Sequence, residues 1–135
     1  MPEYGKKFLA HFLNPEHVGA VDDPDGFGEA GNPACEDRVR VSLRIGDGRI
    51  REARFLARGC ATTIASSSIT MKNVTGMAVE EASKVTAETI IRWLGKVPER
   101  KRPCASAVAN ALHAALLGYK ERKKGHGSIA AAKKE

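Results

Sequence analysis

Hydrophobic and polar positions change their period along the chain. From Arg38 to Ile45 they alternate without a break, with Val39, Val41, Leu43 and Ile45 on one face, which predicts a half-buried strand. Gly46-Asp47-Gly48 turns the chain, and Arg49 to Arg58 returns it as the second arm of a hairpin. In that arm Ala53, Phe55 and Ala57 share a parity that Ile50 breaks, so a bulge is expected near Arg51. From Thr62 the spacing becomes helical: Ile64, Ser67, Ser68, Met71, Val74 and Thr75 form one stripe, and Gly76 ends it. Val79 to Val85 and Ala87 to Leu94 read as two shorter helices, the second capped by Thr86 with Thr89 rather than an acid in the box position. A last helix starts near Cys104, just behind Pro103, and buries Val108, Ala109, Leu112, Ala115, Leu116 and Tyr119.

Ahead of the hairpin, Glu3 to Leu13 predicts a helix with Phe8, Leu9 and Phe12 as its apolar stripe, stopping before Asn14-Pro15. Val18 to Pro33 repeats Asp, Gly and Pro and reads as a loop holding a short strand around Gly26 to Ala30. Together these elements give an α+β fold, a small antiparallel β-sheet with helices packed over one face. Residues 1–124 are expected to form one domain and 125–135, with Gly125, Gly127 and a basic end, a flexible tail.

Composition narrows the class. A chain of 135 residues with 42% hydrophobic and 28% charged positions is that of a single globular domain. No apolar run approaches the roughly 18 residues of a membrane span, and His11, Pro15, Glu16 and His17 interrupt the N-terminal segment where a leader needs an apolar core, so a cytoplasmic location is expected. The net charge of +6 comes largely from runs such as ERKR from Glu99 and KERKK from Lys120. Solvated helix ends and a basic tail account for these, and neither a nucleic acid nor a membrane is expected as partner; an acidic protein surface is the next candidate. The four histidines stand beside no nucleophile in sequence, so nothing points to Ser-His-Asp catalysis and the chain is not expected to be an enzyme.

Chemistry concentrates on three cysteines, Cys35, Cys60 and Cys104. Their odd number and wide separation argue against a disulfide framework, leaving free thiols or metal ligands. Cys60 falls between a strand and a helix and Cys104 at the start of another, where unpaired N–H groups and the helix dipole favour thiolates. Cys35 and Asp37, two apart in an extended segment, share the face that continues as Val39 and Val41. Cys35, Asp37, Cys60 and Cys104 could therefore converge at the rim of the core, thiolates for zinc or iron with a harder carboxylate as fourth ligand. Spacing alone leaves open the alternative of three inert buried thiols, because no CxxC pair exists. Ser66, Ser67 and Ser68 read as small packing residues ahead of donors to such a site.

The words NPACEDRVRVSLRI, GRIREARFLARGCATTIASSS and PCASAVANAL closely resemble the iron–sulfur cluster assembly scaffold family, the IscU proteins and the N-terminal domain of NifU. The resemblance runs from Tyr4 to about Tyr119. It implies the IscU/NifU-like fold and a scaffold that accepts sulfur from a cysteine desulfurase, binds iron or zinc, assembles a transient [2Fe–2S] cluster and passes it to recipient apo iron–sulfur proteins. By matching motif the ligands are Cys35, Asp37, Cys60 and Cys104, with Cys104 as the sulfur-accepting thiol. Three departures stand out. Glu36 occupies the place of a glycine, Pro103 that of a histidine able to ligate metal, and Val97-Pro98-Glu99-Arg100-Lys101 replaces LPPVK, which speaks against transfer driven by an Hsp70-type chaperone. Loss of the histidine also suits an alternative, a zinc-binding sulfur acceptor like the SufU proteins; the short stretch between Cys60 and Cys104 favours the scaffold arrangement.

Overall fold

The computed structural model describes residues 5–32 and 37–123. Three strands, β1 (Gly26–Asn32), β2 (Asp37–Gly46) and β3 (Arg49–Arg58), form one antiparallel sheet in the order β1-β2-β3. Helices α1 (Lys6–Leu13), α2 (Ala61–Val74), α3 (Val79–Ala82), α4 (Ala87–Leu94) and α5 (Arg102–Lys123) complete it, with a 3-10 turn at Glu99–Lys101 leading into α5. The predicted α+β architecture is the one observed. The 125–135 tail and the start of the predicted first helix lie outside the described residues.

The hairpin forms for the reasons its pattern states. Asp47 and Gly48 both take positive φ, 54° and 75°, the conformation a two-residue turn requires. Arg44 pairs with Glu52 but Ile45 with Ile50, so Arg51 is the extra residue of a bulge and Ile50 returns to the buried face. That face, Val39, Val41, Leu43, Ile50, Ala53 and Phe55, is covered by α2 and α5. On β1 the core side of Gly28 is bare: a Cβ there would lie 2.3 Å from the Ala115 nitrogen, so α5 can lie against the strand only because the residue is glycine.

Two expectations need correction. In α1 the buried positions are Phe8 and His11, while Phe12 is exposed, because the helix turns its 8/11 edge toward α2. Helix α2 shows no simple stripe: ten of its fourteen residues are buried while Ile64 is only half-buried and Thr75, beyond its end, is exposed. It is sandwiched between the sheet and α5 on one side and α1 and α4 on the other, which is why it is built of small Ser, Thr and Ala residues. At α4 the cap is a reciprocal box, Thr86 and Thr89 each accepting the other's backbone N–H.

Candidate metal centre

Three elements deliver one side chain each to a single point. Asp37 opens β2 on the same face as Val39 and is 3% exposed, so its carboxylate enters the edge of the core. Cys60 is the N-cap of α2, with its carbonyl accepting from the amides of Thr63 and Ile64. Cys104 sits in the first turn of α5 and is 1% exposed. Ligand-capable atoms of Asp37, Cys60 and Cys104 all lie within 4.8 Å of one another. Cys35 lies outside the described residues.

The two sulfurs are 3.4 Å apart and both thiols are free. Two thiolates on one tetrahedral ion stand about 3.8 Å apart when each metal–sulfur bond is about 2.3 Å, so a small opening of this pair admits an ion. The Thr63 hydroxyl donates to Asp37 Oδ2 at 2.8 Å and lies 3.7 Å from the Cys60 sulfur. Among the described residues, Asp37 Oδ1 is buried without a hydrogen-bond partner. An acceptor left bare in a closed site costs free energy unless a cation or donor meets it, so the orphan oxygen fits a metal-binding donor set.

Gly59 makes the approach possible. Its φ is +153°, and a Cβ there would fall 2.2 Å from Asp37 Oδ1. The Gly-Cys pair thus gives the carboxylate its place beside the start of α2.

The thiols differ in proton affinity. Burial pushes Cys60 up, but the nearby amide of Thr63, followed by the Cys104 thiol and the Thr62 amide, works against it, and Cys60 lies below the ordinary thiol value. Neither amide closes into a regular side-chain cap on the sulfur, so their effect is that of aligned dipoles. Cys104 is pushed up to about 12, first by burial and then by its contacts with Cys60 and the Asp37 carboxylate. The expectation that both helix starts favour a thiolate therefore holds for Cys60 only; at Cys104 desolvation wins over the dipole.

Other predicted participants stand elsewhere. Ser66 and Ser67 hydroxyls are buried without partners, and Ser68 engages His11 Nδ1 at 2.7 Å and the Glu16 amide at 2.8 Å, so none of the three is hydrogen-bonded to a ligand residue. His113 is half-buried and spends its Nε2 on the Val85 carbonyl. Thr63 and Gly59 were not anticipated from sequence. The signal for Thr63 was present: it is three residues past the N-cap, the position whose side chain folds back over the cap.

Comparison with known proteins bears on the family and the fold. The family model described as NifU-like N terminal domain matches residues 3–126. The iron–sulfur cluster assembly scaffold protein IscU 1 of Archaeoglobus fulgidus is 38% identical over 116 residues, 86% of this chain and 76% of that protein. Among solved structures, a NifU-like N-terminal protein from Brucella abortus superposes with a TM-score of 0.74 at 21% identity, covering 89% of this chain and 96% of that one. A cluster assembly scaffold of the SUF system from Fervidobacterium islandicum gives 0.72 at 20% identity, covering 85% and 97%. At such identities the two structures speak for the fold alone. No described helix is long and apolar enough to cross a membrane.

Proposed function

The chain belongs to the NifU-like N-terminal domain family of iron–sulfur cluster scaffolds rather than to an enzyme family, and from that premise we propose that it assembles a [2Fe–2S] cluster on Cys35, Asp37, Cys60 and Cys104 and transfers it to recipient apoproteins. The observation that carries this reading is the convergence of Asp37, Cys60 and Cys104 from three separate elements, with one oxygen of the buried carboxylate unpartnered among the described residues. The scaffold unit is residues 1–124, with the remainder a basic tail, and the setting is the cytoplasm.

The chemistry follows from the thiols. A desulfurase persulfide is attacked at its outer sulfur by a scaffold thiolate; the donor's S–S bond breaks as the new one forms, and the desulfurase leaves as thiolate. Cys104 is the proposed acceptor. Because it is buried and held protonated, docking of the desulfurase must uncover it and remove its proton, while the half-buried Cys60 is the readier anion in the resting site. The transferred sulfur needs two electrons from an external electron-donor protein to become a bridging sulfide. Iron is substrate here: the thiolates bind it as soft donors and Asp37 as a harder, more labile one, which suits a cluster meant to leave.

Anaerobic incubation with ferrous iron, cysteine and a desulfurase tests this reading. A coloured product holding iron and acid-labile sulfide in equal amounts, lost in Cys104→Ser, is expected. Asp37→Ala is expected to change metal affinity or cluster lifetime by about a hundredfold, with the circular dichroism spectrum unchanged. Retained zinc and a persulfide with no coloured product would assign the chain to the zinc-dependent sulfur acceptors instead. Pro103 in the first turn of α5, where a ligating histidine is otherwise expected, is the observation that keeps this second reading in play.

A further inference from the structure

Asp37 has two oxygens with opposite fates. Oδ2 accepts the Thr63 hydroxyl at 2.8 Å, and Oδ1 is buried beside Gly59 with no hydrogen bond among the described residues, on a carboxylate with an oxygen within 4.8 Å of both sulfurs. Thr63 is itself fully buried, 0% exposed, in the first turn of α2, so its β-branched side chain has little freedom to release the contact. The hydroxyl has one proton and two neighbours. The shorter contact is to Asp37, and a bond to a carboxylate is the stronger one, so the proton goes there rather than to Cys60 at 3.7 Å.

We propose that Thr63 is a positioning residue that clamps the Asp37 carboxylate by Oδ2, so that the aspartate offers Oδ1 alone to a bound ion. The inference rests on the reading of Asp37, Cys60 and Cys104 as the ion-binding site. Its consequence is specificity. A carboxylate restricted to one oxygen supports compact four-coordinate ions such as zinc or ferrous iron and works against the two-oxygen grip that expands the coordination number. The clamp also sets the carboxylate's orientation before the ion arrives, which is what a hydrogen-bonded partner of a ligand contributes to affinity.

Cobalt(II) and zinc binding to the purified chain tests this without any assembly reaction. Wild type is expected to give thiolate-to-cobalt charge-transfer bands and intense visible d–d bands of a four-coordinate ion. Thr63→Val, nearly isosteric, is expected to weaken zinc about tenfold by chelator competition and to weaken the d–d bands as Oδ2 joins the coordination. Thr63→Ser keeps the hydroxyl and should restore both. In an Asp37→Ala background Thr63→Val should cost nothing further. Unchanged affinity and spectrum in Thr63→Val, or an equal loss in the Asp37→Ala background, would overturn the clamp. Should the valine variant not fold, Thr63→Ala is read by the same criteria. Failure of the wild type to show charge-transfer bands, or their survival when Cys60 and Cys104 are both serine, would instead sink the site reading on which the clamp depends.

Discussion

Helix α2 carries two buried polar constellations, and they are finished differently. At Ser68 the hydroxyl accepts from the Glu16 amide and is hydrogen-bonded to His11 Nδ1, tying α1 and the segment after it to the helix. At Thr63 the hydroxyl reaches Asp37, yet among the described residues Oδ1 of the same carboxylate has no partner, on a side chain that converges with two free thiols. A closed set contributes only to stability. The hydroxyls of Thr62, Ser66, Ser67 and Thr70 on α2 also lack partners among the described residues, but they are neutral; a bare carboxylate oxygen converging with two thiols is the group whose cost a cation can remove.

The largest effect expected from breaking this contrast is at Gly59. An alanine methyl would meet Asp37 Oδ1 at 2.2 Å and Cγ at 2.7 Å, at a φ of +153° that side chains rarely adopt. Either the carboxylate swings away from the sulfurs or the start of α2 shifts. Gly59→Ala should therefore lose about a hundredfold in zinc affinity and about 2 kcal/mol of stability. Chelator competition together with thermal melts checks both; retention of wild-type affinity would mean that Asp37 does not need its observed place to bind.

Next in size is Ser68→Ala. It leaves the Glu16 amide and His11 Nδ1 without their partner, and a buried group deprived of its hydrogen bond costs about 1–3 kcal/mol. The melting temperature should drop while zinc affinity stays within about twofold, since the hydrogen bonds of Ser68 go to His11 and Glu16 and to none of Asp37, Cys60 and Cys104. A matching fall in affinity would show that the two constellations are coupled through α2.

How far these features were legible from sequence depends on how local their causes are. The hairpin, its turn and the bulge at Arg51 follow from parity and from Asp47-Gly48, all within the two strands. Asp37 was legible because it shares parity with Val39 and Val41, and Cys60 because a change of period marks a helix start. The Thr63–Asp37 contact spans 26 residues and the His11–Ser68 contact 57, and no periodicity encodes which polar residues meet across such gaps. The same limit explains α1: Phe12 belongs to the apolar stripe by pattern, but a histidine with a distant serine to bond takes the buried edge. It also explains Cys104, where a helix-start rule gives the direction of the dipole but not the depth of burial that overrules it.

The smallest expected effect is the most discriminating for the closed set. Burial lowers the proton affinity of His11 below its ordinary value; Glu16 opposes this, and Lys72 and His17 reinforce it. The folded state thus holds His11 neutral where the unfolded chain would protonate it, so the unfolded state binds more protons between the lowered value and 6.5. The stability His11 confers is complete above 6.5 and is lost as pH falls through that window toward the folded value. Melting temperature should accordingly decline on acidification from neutrality, and less steeply in His11→Gln, whose side chain does not titrate; titrating groups that do not interact with His11 cancel in the difference. Equal slopes would mean that protonation at His11 is free of cost, and hence that its contact with Ser68 opens to water as readily as the Asp37 site is poised to open to an ion.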